Sequence, residues 1–350
     1  MRPTIKDIAR EIGVSPNTVS KALNGKGRVS AATRQLVIDT AQRLGYHPNR
    51  SARALARREL RLAAVYPLEP AEFYSHIARG IADQAAEMAD RRCTVTAHPY
   101  PSIETPRALR QVLGTVLEER PDGLVLTCSH RFEEYADVLA GFAEAGIPVF
   151  YATIFGDMVP GVIGGVRTNT QAAGRIAAEF LGLVMPAHSA PRRVALMVGA
   201  KHLLVYQECV DGFAAQAAAA QIEVAGVWET FGRADLAYEA AAEAFADGAR
   251  LDGIYVASHN SVGLCDYLED HALAGQVAVI GHDLYPGLNT KLQAGTLTAT
   301  LFQSQYEQGR DALRLLAETV DSGEPLAQAV QLVEPRLVLP SMAAAFPEYL

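Results

Sequence analysis

The chain has 350 residues, 49 % of them hydrophobic and 20 % charged, with a formal net charge of −8; this is apolar material for two or three packed domains rather than for a disordered polymer. No run of about 18 apolar residues offers a membrane span, and the start Met-Arg-Pro-Thr lacks the apolar core of a secretory signal. The cysteines (Cys93, Cys128, Cys209, Cys265) are too far apart for a C-x-x-C zinc site or dithiol couple, so a soluble protein of a reducing cytoplasm is expected.

The charge is divided along the chain. Residues 1–61 carry 13 Lys and Arg against four acids, a balance of +9, whereas 62–350 carry 18 against 35, a balance of −17. A basic head on an acidic body points to a polyanionic partner for the head alone.

The first element is "TIKDIAREIG", where Ile5, Ile8, Ala9 and Ile12 form one apolar stripe, Thr4 and Asp7 have capping-box spacing, and Gly13 suits a left-handed stop. A second helix follows Ser15 as cap with Pro16 at its first position, turning Val14, Val19 and Leu23 inward and Asn17, Thr18, Ser20 and Lys21 outward. Ser30 opens a third, "SAATRQLVIDTAQRLG", with Leu36, Val37, Thr40, Ala41 and Leu44 expected on its buried side and Gly45 as its end. Two short helices across a tight glycine turn, supported by a third, make a helix-turn-helix, whose second helix probes the DNA major groove, about 12 Å wide. Asn17 suits an adenine edge and Lys21 a guanine or a phosphate, while Ser15, Thr18, Ser20, Asn24, Arg28 and Ser30 are placed to hold phosphates. The alternative is a small bundle with an incidentally polar helix, which leaves the charge division unexplained.

The segment Thr4 to Ala56 carries "D-I-A-x-x-x-G-V-S-x-x-T-V-S-x-x-L-N", then "V-S-x-x-T-R" and "L-G-Y-x-P-N" without a gap. It resembles the DNA-binding head of the lactose/galactose/purine repressor (LacI/GalR) family. The resemblance implies a homodimer on a pseudo-palindromic operator, and it adds Thr4, Pro16, Tyr46, Asn49 and Arg53 to the DNA-contact set. It also implies that "NRSARALARR" is a hinge helix ordered on DNA, with Leu55 wedged into the minor groove and Ala56 where some members carry lysine. An Ala/Arg-rich segment with a single leucine reads as a marginal helix needing a partner and phosphates; the alternative is a flexible basic linker.

From residue 62, short apolar runs alternate with amphipathic segments: "LAAVYP", a helix from about Tyr74 to Asp90, "CTVTAH", a helix near 104–119, "GLVLT", a helix near 131–145, and "PVFYA". The theme returns with "RRVALMVG", "EVAGVWE", "LDGIYVAS" and "VAVIGHDL" between Ala-rich helices. This alternation predicts an α/β body of two doubly wound lobes with parallel sheets, following the all-α head. Expected domains are a head over 1–48, a hinge over 49–61 and an effector-binding and dimerisation body over 62–350. The first lobe is expected at about 62–166 with 293–325, the second at about 167–292 with 326–350.

Ligands in such sheets bind beyond the carboxyl ends of the strands, which singles out Phe73 and Tyr74, Thr127 to His130, Cys209, Ser258 to Asn260, and Asp283. The layout resembles periplasmic sugar-binding proteins, the body of the same repressor family. The resemblance implies that Phe73 and Tyr74 present aromatic faces to a ring, that Asn169 edges the cleft, that Asp283 accepts from ligand hydroxyls, and that Gln303 and Asn260 contribute. Asp283 reads alternatively as a turn cap. Cys209 departs from the pattern: relatives usually carry there an arginine that grips paired hydroxyls or a carboxylate, a part Lys201 or His202 is near enough in sequence to take. A cysteine in apolar surroundings is otherwise inert filling.

"GVIGGV" lacks G-x-G-x-x-G spacing, "VGAK" lacks the rest of a P-loop, and no H-E-x-x-H, G-x-S-x-G or clustered metal ligands occur, so neither an enzyme nor a bound cofactor or metal is expected. The expectation is a ligand-responsive transcriptional repressor with a sugar-like effector; the alternative is a DNA-binding regulator with a non-sugar effector or none. A solute-binding protein leaves the head unexplained, and an architectural DNA-binding protein leaves the cleft unexplained. "VLPSMAAAFPEYL" shows no tetramerising heptad, which makes a dimer the default.

Overall fold

The computed structural model describes residues 4–23, 29–44, 59–128, 132–153, 159–186, 191–258 and 261–349. The chain divides into two compact units, Met1–Arg58 with Asp90–Arg92, and Glu59–Ala89 with Cys93–Leu350. The first contains α1 (Ile5–Ile12), α2 (Pro16–Leu23) and α3 (Ala31–Arg43). Ile8, Ala9, Val19, Ala22, Val37 and Ala41 form its core, and Val14, Leu23 and Leu44 pack at its margin. Leu36 departs from expectation: it is 50 % exposed, because it lies about 100° around the helix from Val37, off the stripe that Val37, Thr40 and Ala41 define.

The second unit begins with β1 (Leu60–Glu69), α4 (Ala71–Met88), β2 (Cys93–Ser102), α5 (Pro106–Glu119), β3 (Gly123–Leu126), α6 (Ala136–Glu144), β4 (Val149–Ala152) and β5 (Val162–Thr168). It repeats the alternation with α7 (Thr170–Val184), β6 (Arg192–Val198), α8 (Leu204–Ala217), β7 (Ile222–Glu229), α9 (Ala234–Ala244), β8 (Gly253–Val256), α10 (Val262–Asp270), β9 (Ala278–His282) and α11 (Pro286–Ala294). It ends with β10 (Ala299–Phe302), α12 (Gln305–Ser322), β11 (Val330–Val333) and β12 (Arg336–Val338). Strands β3, β4, β8 and β10 are buried at every position, which is why they read as continuous apolar runs rather than alternations.

Two six-stranded sheets result, ordered β11-β5-β4-β3-β1-β2 and β12-β10-β9-β8-β6-β7. The first is parallel throughout; the second is parallel except that β12 runs antiparallel to β10. In each, the opening strand lies between its two successors in sequence, β1 between β2 and β3, β6 between β7 and β8. That reversal opens a crevice at the carboxyl ends of the strands.

The division of the C-terminal third differs from expectation in two places. Ala299–Leu301 hydrogen-bond beside Ile280–His282, so β10 belongs to the second sheet and not to the first lobe. The chain crosses only after it, at Ser304, which takes a left-handed φ of 56°. Residues Val330–Val333 then pair with Gly165–Thr168 in the first sheet, not the second lobe, before β12 returns to the second. The two lobes are thus joined by three crossings, near 169, 303–304 and 334–335.

Helix packing is organised by glycines. A Cβ on Gly80 would stand 2.1 Å from the Tyr306 carbonyl oxygen, and one on Gly309 2.2 Å from that of Ile77, so α4 and α12 touch backbone to backbone. The second lobe repeats the device: Gly174 and Gly212 bring α7 against α8, with the oxygens of Cys209 and Gln171 at 2.0 and 2.1 Å from the would-be Cβ atoms.

Candidate functional site

The head is built from short-range caps. The Asp7 carboxylate accepts from the Thr4 backbone N–H at 2.9 Å and the Thr4 hydroxyl at 2.6 Å, and the Ser15 and Ser30 hydroxyls accept from the N–H of Thr18 at 3.0 Å and of Thr33 at 3.1 Å. These bonds satisfy orphan N–H groups at three helix starts. Along α2, Pro16, Asn17 and Lys21 are exposed and Thr18 is half-buried, a polar surface of short side chains suited to base edges. Ser20 is a position of the same helix. Asn24, Arg28, Tyr46, Asn49, Arg53, Leu55 and Ala56 lie outside the described residues, and with them the expected hinge as far as residue 58; Leu60 and Arg61, expected as its end, already belong to β1, paired with Cys93 and Thr94.

The second unit contains a cavity of about 530 Å³ at the carboxyl ends of both sheets. Phe73 and Tyr74 reach it from the start of α4, with ring centroids 5.0 Å apart and planes at 75°. Tyr206 and Phe231 add aromatic surface from the other lobe, the latter 55 % exposed on a left-handed turn. Gly199 permits the Tyr206 position, since a Cβ there would lie 2.3 Å from the ring.

Asp283 is the buried polar centre. It follows β9 with φ 69°, is 3 % exposed, and its Oδ1 accepts from Gln303 Nε2 at 2.9 Å and Gln305 Nε2 at 2.5 Å. Oδ2 has no partner among the described residues. Burial pushes the carboxyl up to about 7, against the two glutamine amides that hold it down. The side chain does not cap the following turn; its bonds run to the second crossing. Adjacent His282 bonds to the Tyr255 hydroxyl at 2.9 Å and is pushed down to about 3 by burial, so it is neutral. Gln308 donates to Thr168 Oγ1 at 3.0 Å and to the Gln303 carbonyl at 2.8 Å.

Cys209 lines the cavity at 1 % exposure, its thiol pushed up to about 12 by burial. Arg167, near the end of β5, is an arginine on the cavity wall. Its Nη1 and Nη2 donate to both carboxylate oxygens of Glu208, the latter contact at 2.8 Å, and Nη1 also reaches Thr170 Oγ1 at 3.1 Å. The Thr170 hydroxyl donates to Glu208 in turn. Burial pushes the Glu208 carboxyl up, but these donors prevail and hold it below its ordinary value.

Of the residues expected here, Phe73, Tyr74, Cys209, Ser258, Asp283 and Gln303 line the cavity, and so does His202; Lys201 does not. Asn169 does not line it either: its side chain accepts from the Ala172 N–H at 3.1 Å as the cap of α7 and donates to Glu334 at 2.8 Å, tying the first crossing to the third. Thr127 and Cys128 are buried away from the cavity. Asn260, with Ser129 and His130, falls outside the described residues. Sequence reading missed Arg167 and Glu208, which are 41 residues apart; the signal was the acid placed immediately before the anomalous cysteine. Among the described residues, no cluster of His, Cys, Asp and Glu is arranged to hold a metal and no helix is long and apolar enough to cross a membrane.

Residues 4–49 match the family model of bacterial regulatory proteins, lacI family, and residues 63–325 that of a periplasmic binding protein domain. The chain belongs to the lacI family. It is 27 % identical to the ribose operon repressor of Bacillus subtilis, covering 94 % of this chain and 95 % of that one. It is 26 % identical to the transcriptional regulator CelR of Thermobifida fusca, over 97 % of both chains. Among solved structures, its fold resembles a periplasmic ribose ABC transporter protein from Conexibacter woesei, with TM-score 0.73, 18 % identity and coverage of 84 % and 96 %. It also resembles the glucose-galactose binding protein GanP from Geobacillus stearothermophilus, with TM-score 0.69, 21 % identity and coverage of 81 % and 99 %. A lacI-family head on such a body makes the chain a ligand-responsive, DNA-binding transcriptional regulator.

Proposed function

We propose that the protein is a cytoplasmic repressor that binds a pseudo-palindromic operator as a homodimer and releases or grips it according to a carbohydrate-class effector in the cavity. The observation that carries the effector reading is Asp283, a buried carboxyl group on the wall of a cavity with aromatic sides, one oxygen held by two glutamines and the other without a partner among the described residues. Carboxylate and aromatic face together suit a ring with hydroxyls at its edge and C–H groups on its face. The names of the ribose operon repressor and of the sugar-binding structural relatives support the same class. Two lobes joined by three crossings supply an element whose closed and open forms a ligand can bind unequally, which is what shifts a population.

The test is a thermal-shift and calorimetric screen of the full chain against pentoses, hexoses, polyols and purines. A ligand at a hundred times its dissociation constant adds about 2.7 kcal/mol to stability. The expected result is stabilisation by a sugar or polyol, abolished in Asp283→Ala, and a changed affinity for operator DNA when that ligand is added. Stabilisation by purines alone, or a sugar response untouched by Asp283→Ala, would sink the reading.

A further inference from the structure

We infer that the cavity selects an uncharged ligand and refuses phosphorylated or acidic analogues, because Glu208 is a built-in anion that occupies the cavity's arginine. The inference rests on the cavity being the effector site and concerns which members of the class enter it.

The charges lining the cavity account for themselves. Arg167 is bound through Nη1 and Nη2 to both oxygens of Glu208, and the Thr170 hydroxyl closes the triangle by accepting from the guanidinium and donating to the carboxylate. Both partners are half-buried, with side-chain exposures of 18 % and 23 %. A guanidinium already forked onto a carboxylate has spent the two parallel donors with which arginine grips a ligand carboxylate or phosphate. Arg233, the other arginine on the lining, pairs with Asp235 through Nε at 3.0 Å and through Nη2, both side chains being exposed. Glu208 itself is not on the wall; the acids there are Glu104 and Asp283, and His202 is its remaining basic residue. An entering anion meets no uncommitted guanidinium and two carboxyl groups besides, so like-charge repulsion and the loss of its hydration act against it. A neutral hydroxyl meets neither penalty, and Asp283 on the wall keeps one oxygen without a partner among the described residues.

The arrangement is fixed by packing rather than by side-chain choice. Thr170 and Glu208 sit on α7 and α8, the helices that Gly174 and Gly212 bring into backbone contact, and Arg167 ends the strand leading into α7.

The experiment compares the full-length wild type with Glu208→Gln and with the double variant Arg167→Gln/Glu208→Gln. The probes are D-ribose and ribose 5-phosphate, D-glucose and glucose 6-phosphate, and inorganic phosphate, at constant ionic strength by thermal shift and calorimetry. Wild type is expected to respond to none of the anionic probes. Glu208→Gln, with Arg167 released, is expected to gain affinity for inorganic phosphate or a phosphate ester by about tenfold or more, and the double variant to lose it again. Binding of an anionic probe by wild type in competition with the neutral sugar that it binds overturns the inference, and that arm depends on no variant folding. A folded Glu208→Gln whose anion response equals that of wild type overturns it too. Failure of every neutral sugar while Glu208→Gln gains phosphate would instead count against the carbohydrate reading and leave the charge selection standing.

Discussion

Asp283 places a titrating group at the centre of the cavity, and its pH behaviour is a direct check on the geometry. Its carboxyl stands at about 7 in the fold against an ordinary value of 3.8, with burial as the main cause. Between those values the folded protein keeps a proton that the unfolded chain releases. The stability this group contributes is therefore complete below about pH 4 and is lost as the pH rises through about 7. Asp283→Asn is expected to remove a downward slope of up to about 1.4 kcal/mol per pH unit between pH 5 and 7, measured by urea denaturation of the ligand-free protein. An unchanged slope would mean that the carboxyl is ionised throughout. At this scale the sequence was legible wherever partners are neighbours: Thr4 with Asp7 and Ser15 with Thr18 are three residues apart, and spacing alone exposes them. Arg167 with Glu208, and Asp283 with Gln305, are made by strands and helices meeting from distant segments, and no local pattern announces such pairs.

Helices and strands of the body were readable where burial makes them uniform. The runs "GLVL", "VFYA" and "GIYV" are strands because both faces are covered. The exchange of β10 and β11 between lobes was not readable, since an apolar run carries no mark of the sheet it joins. The glycine contacts between helices make a sharper test of the packing. Gly174→Ala is expected to destabilise the protein by about 1–3 kcal/mol, because the methyl group would meet the Cys209 carbonyl and the Phe213 N–H. Gly114→Ala in α5 has nothing within 4 Å of the added carbon and is expected to be neutral or to stabilise by about 0.5–1 kcal/mol, as alanine is the better helix former. Chemical denaturation of the two variants side by side checks both; equal effects would show that α7 and α8 are not in backbone contact.

Over the whole molecule, the division of charge governs how the protein meets DNA. A head of +9 and a body of −17 predict that attraction comes from the head alone and that binding weakens steeply with salt. With 6–10 phosphates neutralised, affinity for an operator is expected to fall by about 10³–10⁵ between 50 and 200 mM salt, read as the slope of a log–log plot from fluorescence anisotropy. A flat slope would mean that the basic residues do not face the backbone of the duplex. The interleaving of the lobes has a consequence for the making of the protein. Strand β11 closes one side of the first sheet and β12 one side of the second, and both lie in the stretch 330–338. Until the ribosome has delivered that stretch, neither sheet has all its strands, whereas the head precedes it in the chain and is made well before it. A message broken late in the reading frame would therefore yield not one good lobe and one bad one but a sound DNA-reading head tethered to two unfinished halves, each with an unpaired strand exposed to aggregation.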